Sequence, residues 1–182
     1  MIRVLAILAA LVLAAPAFAQ KLPANLDKNN AIVIDTTKGR IVIALRTDIA
    51  PKHAERIKQL ARDGYYDNVP FHRVIDGFMA QTGDGQHGNG TGGSSYPDLK
   101  SEFSDVPFER GTVGMARKGG NDHSANSQFF IMFDEGSFLN GQYTVIGEVV
   151  AGMDVVDKLK RGEPPSNPDR IIRMQVAADA KS

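Results

Sequence analysis

The stretch FHRVIDGFMAQTGDG, residues 71–85, sets the guanidinium of Arg73 among Phe71, Phe78 and Met79 and follows it with Gln81 beyond an Asp76-Gly77 turn. That mixture is wasteful if the hairpin only fills a core, where arginine and glutamine are seldom placed. The chemistry open to it is hydrogen-bond donation from a permanently protonated group beside apolar surface. His72 brings acid-base chemistry to mind, but a structural or peripheral role is the reading adopted for it. The neighbouring GDGQHGNGTGGSS, residues 83–95, contains G-x-G-x-x-G twice, yet Pro97 follows closely and no strand-turn-helix unit surrounds either match, so it reads as a flexible loop and not as a phosphate cradle. His87, His123, Asp84 and Asp122 have no recognised metal-ligand spacing, and no metal site is expected.

The chain has 182 residues, 21 basic and 21 acidic, and no cysteine. Thiolate chemistry, disulfides and cysteine metal sites are therefore excluded, and no basic patch marks a nucleic-acid partner. Residues 1–19 have the form of a cleavable export signal: Arg3, an apolar run over 4–13, and Ala17-Phe18-Ala19 before Gln20. The run is too short for the roughly 20 residues that span a bilayer. The expected mature chain, residues 20–182, is a single periplasmic domain without a membrane segment, and a domain near that size buries about 70% of its unfolded surface.

Period-two patterns dominate. Strands are expected over 31–37, 40–46, 71–75, 78–82, 112–116, 129–133, 144–149 and 171–176, the first two forming a hairpin about Lys38-Gly39. Helices are expected over 51–64, with Pro51 at the first position and Gly64 as a stop, and over 152–162. A mainly β domain of eight antiparallel strands must pair its edges or close, and a barrel capped by the two helices is the economical solution. Asp76-Gly77 signals a two-residue turn, a register that sets Arg73 opposite Ala80 and His72 opposite Gln81. Only a bulge or strong twist would bring Arg73 beside Gln81. Along 129–133 alternation points Phe129 inward and leaves Phe130 outward.

FHRVIDGFMAQTGD, GTGG (90–93), GTVGMAR (111–117), NSQFFI (126–131) and FLNGQYTVIGEVVAGMDVV (138–156) follow one another in the order and nearly the spacing of the cyclophilin family of peptidyl-prolyl isomerases, and the chain resembles an exported bacterial member over about residues 32–176. The resemblance implies a closed eight-stranded barrel with two capping helices and its site on the outer face. It implies that Arg73 is catalytic and that Phe78, Met79, Phe130 and Leu139 wall a pocket for a proline ring. Gln81 would bind substrate backbone, the main chain at Arg117 would hold the residue before proline, and Ala116 and Gln128 would line the groove. Phe138, Tyr143 and Arg117 depart from the tryptophan, histidine and asparagine common in eukaryotic members, and segment 118–125 is one or two residues longer. The partners implied are proline-containing peptides and unfolded exported proteins. The resemblance also implies cyclosporin as a ligand, with reduced affinity expected here. No cofactor is implied, and the expected state is a monomer.

Rotation about an X-Pro bond breaks no covalent bond but works against amide resonance, a barrier of roughly 18–20 kcal/mol. The twisted nitrogen regains a lone pair that a guanidinium can meet, which would bind the transition state selectively. That role leaves Arg73 unpaired with any acid of the protein. A proline-directed binding module or holdase would use the same groove without needing such a group, so an intact Arg73 favours the enzyme.

Overall fold

The computed structural model describes residues 21–180, so the export signal expected over 1–19 lies outside the described residues. All eight expected strands form: β1 Ala31–Thr36, β2 Gly39–Leu45, β3 Arg73–Ile75, β4 Met79–Thr82, β5 Thr112–Met115, β6 Phe129–Met132, β7 Val145–Ala151 and β8 Ile171–Val176. They make one antiparallel sheet in the order β3-β4-β6-β5-β7-β2-β1-β8. β1 and β2 meet through Thr36↔Gly39, which puts the turn at Thr37-Lys38 and Gly39 inside β2.

The sheet curls into a barrel, but its two end strands do not pair as a ladder. Residues at or just ahead of their first positions close the seam instead: Phe71 N donates to Asp169 O and Ile171 N, at the start of β8, to Val69 O, each at 2.9 Å, around a bridge between Pro70 and Arg170. The fully closed ladder expected from the strand count is therefore replaced at one seam by a short bridge. Pro70, which has no N–H, is tolerated there because the hydrogen bonds of this bridge are made by its neighbours Val69 and Phe71 and none calls on a Pro70 donor.

The pleat sorts side chains into two cores. Val74, Ala80, Ile131 and Val113 lie in one cross-strand row and point into the barrel, with Ile32, Ile34, Ile41, Ile43 and Phe129. One residue along, Met79, Phe130 and Met132 point outward and join Phe108, Leu139 and Val145 in a second buried cluster. Each such side chain is worth about 1.5–3 kcal/mol relative to exposure, so the outer face carries a small core of its own. Phe129 inward and Phe130 outward follow the expected alternation.

Helix α1, Pro51–Arg62, buries Ala54, Ile57, Leu60 and Ala61 over one end of the barrel. Its N-cap residue, Ala50, offers no side-chain acceptor. Glu102, from a distant loop, takes the amides of Lys52 and His53 and lies 2.6 Å from His53 Nδ1. Burial raises the Glu102 carboxyl, but the His53 side chain and these two amides outweigh it and leave it below its usual range. Helix α2, Met153–Asp157, is shorter than the expected 152–162. Arg161 Nη1 caps the Asp157 and Leu159 carbonyls at 2.8 and 2.6 Å, and residues 158–170 then leave the helix to run along β3. Among the described residues no helix is long and apolar enough to cross a membrane.

Candidate active site

The hairpin of β3 and β4 pairs Arg73 with Gln81, Val74 with Ala80 and Ile75 with Met79. The two-residue register expected from Asp76-Gly77 is thus corrected by one residue. Phe78 N donates to Ile75 O at 3.1 Å, and Gly77, with φ 67°, occupies the position where a type II turn demands positive φ. Phe78 is thereby an extra loop residue. A one-residue shift flips side chains between faces, and here it sets Arg73 and Gln81 on the same one.

From that pair a row crosses the outer face: Arg73 on β3, Gln81 on β4, Phe130 on β6 and Gly114 on β5. Gly114 must lack a side chain, because a Cβ there would lie 2.6 Å from both the Phe108 and Phe130 rings. Phe130 stacks on Phe108 with centroids 5.6 Å apart and meets Tyr143 edge-on at 5.8 Å. Around this row opens a cavity of about 130 Å³ lined by Arg73, Phe78, Met79, Gln81, Ala116, Arg117, Phe130, Leu139 and Tyr143. Phe138 is at its rim, 63% exposed, its ring 5.4 Å from that of Phe78.

A second, longer hollow of about 440 Å³ shares Gln81, Ala116 and Arg117 with the first and runs on past Gly92, Ser94, Asn126 and Gln128. Gln128 organises the join. Its Nε2 donates to Gly90 O at 3.0 Å and Gly92 O at 2.8 Å, and its Oε1 accepts from Gln81 Nε2 at 2.9 Å. Two carbonyls can be served only by an amide NH₂, which fixes the orientation of Gln128 and in turn that of Gln81. The Gln81 carbonyl oxygen is left as an acceptor for a main-chain N–H in the groove.

Arg117 is held on three sides. Its guanidinium lies 4.5 Å from the Tyr143 ring centroid, its Nε donates to Gln142 O at 3.1 Å, and its Nη2 lies 3.1 Å from Asp122 Oδ1. Arg73 was expected to be unpaired; instead its Nε donates to Glu163 Oε1 at 2.8 Å, while its two Nη groups donate no hydrogen bond among the described residues. Glu163 was missed because it lies in GEPPSNPD, a turn-like run with no periodicity.

The glycine-rich loop is wound around Asp84. One carboxylate oxygen accepts the amides of Gln86 and His87, the other those of Asn89, Gly90 and Gly92. Burial raises this carboxyl, yet the amides of His87, Gly92, Gly90 and Asn89 hold it down to about 2. The remaining residues weighed as metal ligands are dispersed: His87 Nδ1 meets Thr91, His123 Nδ1 meets Ser101, and Asp122 pairs with Arg117. His72 is buried with neither ring nitrogen hydrogen-bonded, and burial lowers its pKa against the opposing pull of the Asp84 charge, with Arg73 adding to the lowering.

An arginine-edged apolar pocket, ring-sized and continuous with a polar groove, defines a site for an extended peptide that lodges one compact apolar residue beside a fixed cation. Residues 31–176 match the family described as cyclophilin type peptidyl-prolyl cis-trans isomerase/CLD. A Brucella suis protein named probable peptidyl-prolyl cis-trans isomerase is 55% identical over 170 residues, covering 85% of this chain and 86% of that one. Among solved structures, the cyclophilin AquaCyp293 from Hirschia baltica superposes with a TM-score of 0.79 at 29% identity, over 86% of this chain and 77% of that one. A Cryptosporidium parvum cyclophilin type isomerase, solved in the presence of the dipeptide Ala-Pro, does so with a TM-score of 0.74 at 27% identity, over 80% and 98%. The chain belongs to the cyclophilin-type peptidyl-prolyl cis-trans isomerases, enzymes that turn X-Pro peptide bonds between cis and trans.

Proposed function

We propose that the 130 Å³ cavity takes the proline ring and that Arg73 acts on the prolyl nitrogen through its Nη groups. The observation that carries this reading is the cross-strand pairing of Arg73 with Gln81 at the edge of an apolar hollow floored by Phe130 and Met79. Ring burial holds one side of the bond. The Gln81 carbonyl oxygen and the main chain at Arg117 hold the other, Ala116 and Gln128 shape the groove between them, and rotation then passes beneath the guanidinium. Donors positioned before the reaction cost no reorganisation when the nitrogen lone pair develops, and apolar walls strengthen their field. A thousandfold acceleration needs about 4 kcal/mol of such selective stabilisation. The Ala-Pro dipeptide used with the Cryptosporidium relative makes a short Ala-Pro peptide the first substrate to try, by NMR exchange with and without protein; unchanged exchange would sink the reading.

The biological setting we infer is the folding of exported proteins in a periplasm, carried out by a monomer. It rests on the apolar run and small-residue cleavage pattern of residues 1–19. Mass spectrometry of the protein recovered from a periplasmic extract tests it: an N-terminus at Gln20 is expected, and an intact N-terminus in the cytosolic fraction would refute export. Rotation about an amide needs no metal, so exhaustive EDTA treatment should leave turnover unchanged. Loss on chelation, restored by one added metal, would reverse that expectation.

Cyclosporin is the natural inhibitor to test, and Phe138 sets the expectation. Phenylalanine at this exposed rim supplies ring contact but no N–H donor. A net hydrogen bond is worth about 0.5–1.5 kcal/mol, so Phe138→Trp should tighten cyclosporin binding by roughly 2- to 12-fold in calorimetry, with peptide turnover little changed. An unchanged or weaker affinity would shift the explanation to Tyr143 or segment 118–125.

A further inference from the structure

Residues 158–170 form a strap along the free edge of β3. Val74 and Gly162 exchange both backbone hydrogen bonds, each 2.8 Å long, in an antiparallel bridge. On one side of it, Arg161 Nε donates to Asp76 Oδ1 at 3.0 Å while its guanidinium lies 4.1 Å from the Phe133 ring centroid. On the other side, Glu163 falls opposite Arg73, the cross-strand neighbour position of such a bridge. The chain can enter it only through a glycine: Gly162 has φ 151°, and a Cβ there would collide with the backbone of Pro165.

The Arg73–Glu163 pair is 41% and 54% exposed, and ion pairs so open to solvent contribute little to stability. Its consequence is orientation. The carboxylate engages Nε, the edge of the guanidinium nearest the stem, and both Nη groups remain without a protein partner among the described residues, on a side chain that lines the proline-sized cavity. We propose that Glu163 is a positioning residue for Arg73: it holds the guanidinium by Nε, so that the Nη donors stand toward the rotating bond before substrate arrives. This rests on the reading of Arg73 as the group that acts on the substrate.

The test is a double-mutant cycle with kcat and KM resolved on an Ala-Pro peptide. Because small misplacements of a catalytic group are costly, Glu163→Ala should lower kcat by about three- to tenfold, leaving KM within about twofold and the melting temperature unchanged. Glu163→Gln keeps an oxygen for Nε–H and should keep at least about half of kcat. In an Arg73→Ala background, Glu163→Ala should change nothing further. Solvent exchange of the Arg73 Nε proton, followed by ¹⁵N NMR, should be slow in the wild type and Glu163→Gln and fast in Glu163→Ala. Wild-type kcat in Glu163→Ala, or an equal loss with Arg73 already removed, overturns the positioning role while leaving Arg73's own role standing. Wild-type turnover in Arg73→Ala alone removes both.

Discussion

Arg73→Ala should retain the fold and lose most of the catalysed rate. A hydrogen bond from a charged donor is worth about 1.5–3 kcal/mol, so removing one made chiefly in the transition state should cost roughly 10- to 150-fold in kcat. The fold should tolerate the change because Arg73 is 41% exposed and its ion pair with Glu163 is open to water. Arg73→Lys is the sharper comparison. Lysine keeps the charge but has no Nε–H fork to pair with Glu163 while presenting further donors, so it should recover only a minor part of the rate. Exchange NMR on an Ala-Pro peptide, with circular dichroism to verify folding, measures both variants. A folded Arg73→Ala protein with near wild-type turnover would remove Arg73 from the mechanism.

The strands were legible because each has its own period. Residues 31–36 and 39–45 alternate between two faces that are both largely buried, and β-branched side chains mark them directly. The hairpin register was not legible. Asp76-Gly77 fits a two-residue turn equally well, and what selects the three-residue loop is burial: the observed register sends Val74 and Ala80 into the barrel and Met79 onto the second cluster. That choice depends on Ile131 and Met132, some fifty residues downstream, which no local pattern reports. The eight strands and the curling of their sheet were read correctly, but the seam is a short bridge between Pro70 and Arg170, just outside the two end strands, where sequence period carries no signal.

Within the site, the cavity walls named from the sequence do come together, with Phe138 at the rim and Gln128 in the adjoining groove. Illegible were the residues that hold the walls in place. Glu163 reaches Arg73 across ninety residues of chain, and Arg117 leans on Tyr143 through a cation–π contact that their separate types do not announce. Asp84 was weighed as a metal ligand, whereas its chemistry is that of an anion among amides. The local signal for it existed: an aspartate at the head of a glycine-rich run accepts its own downstream N–H groups.

Asp84 accordingly carries the other large expected effect. Its carboxylate takes five backbone amides between Gln86 and Gly92, and the carbonyls of Gly90 and Gly92 in the same loop fix Gln128, which fixes Gln81. Asp84→Ala leaves those amides without their acceptor and should cost about 2–3 kcal/mol of stability, limited by the loop's freedom to open locally into water. Hydrogen-exchange protection of residues 86–92 should fall, and kcat/KM should drop by roughly tenfold as the Gln128–Gln81 pair loses its anchor. Asp84→Asn keeps one acceptor oxygen but turns an NH₂ toward half of the amides, so it should lie between the two. The pH dependence follows from the same hydrogen bonds. The folded-state pKa, about 2, is depressed below the ordinary 3.8, so the stabilisation is complete above about pH 4 and is lost as pH falls from there through about 2. The wild-type loop should therefore stay protected at pH 4, while the Ala variant's loop is already open at pH 7. Protected amides in Asp84→Ala together with wild-type kcat/KM would mean that the loop holds its shape by glycine geometry alone and that Gln128 needs no carboxylate behind it.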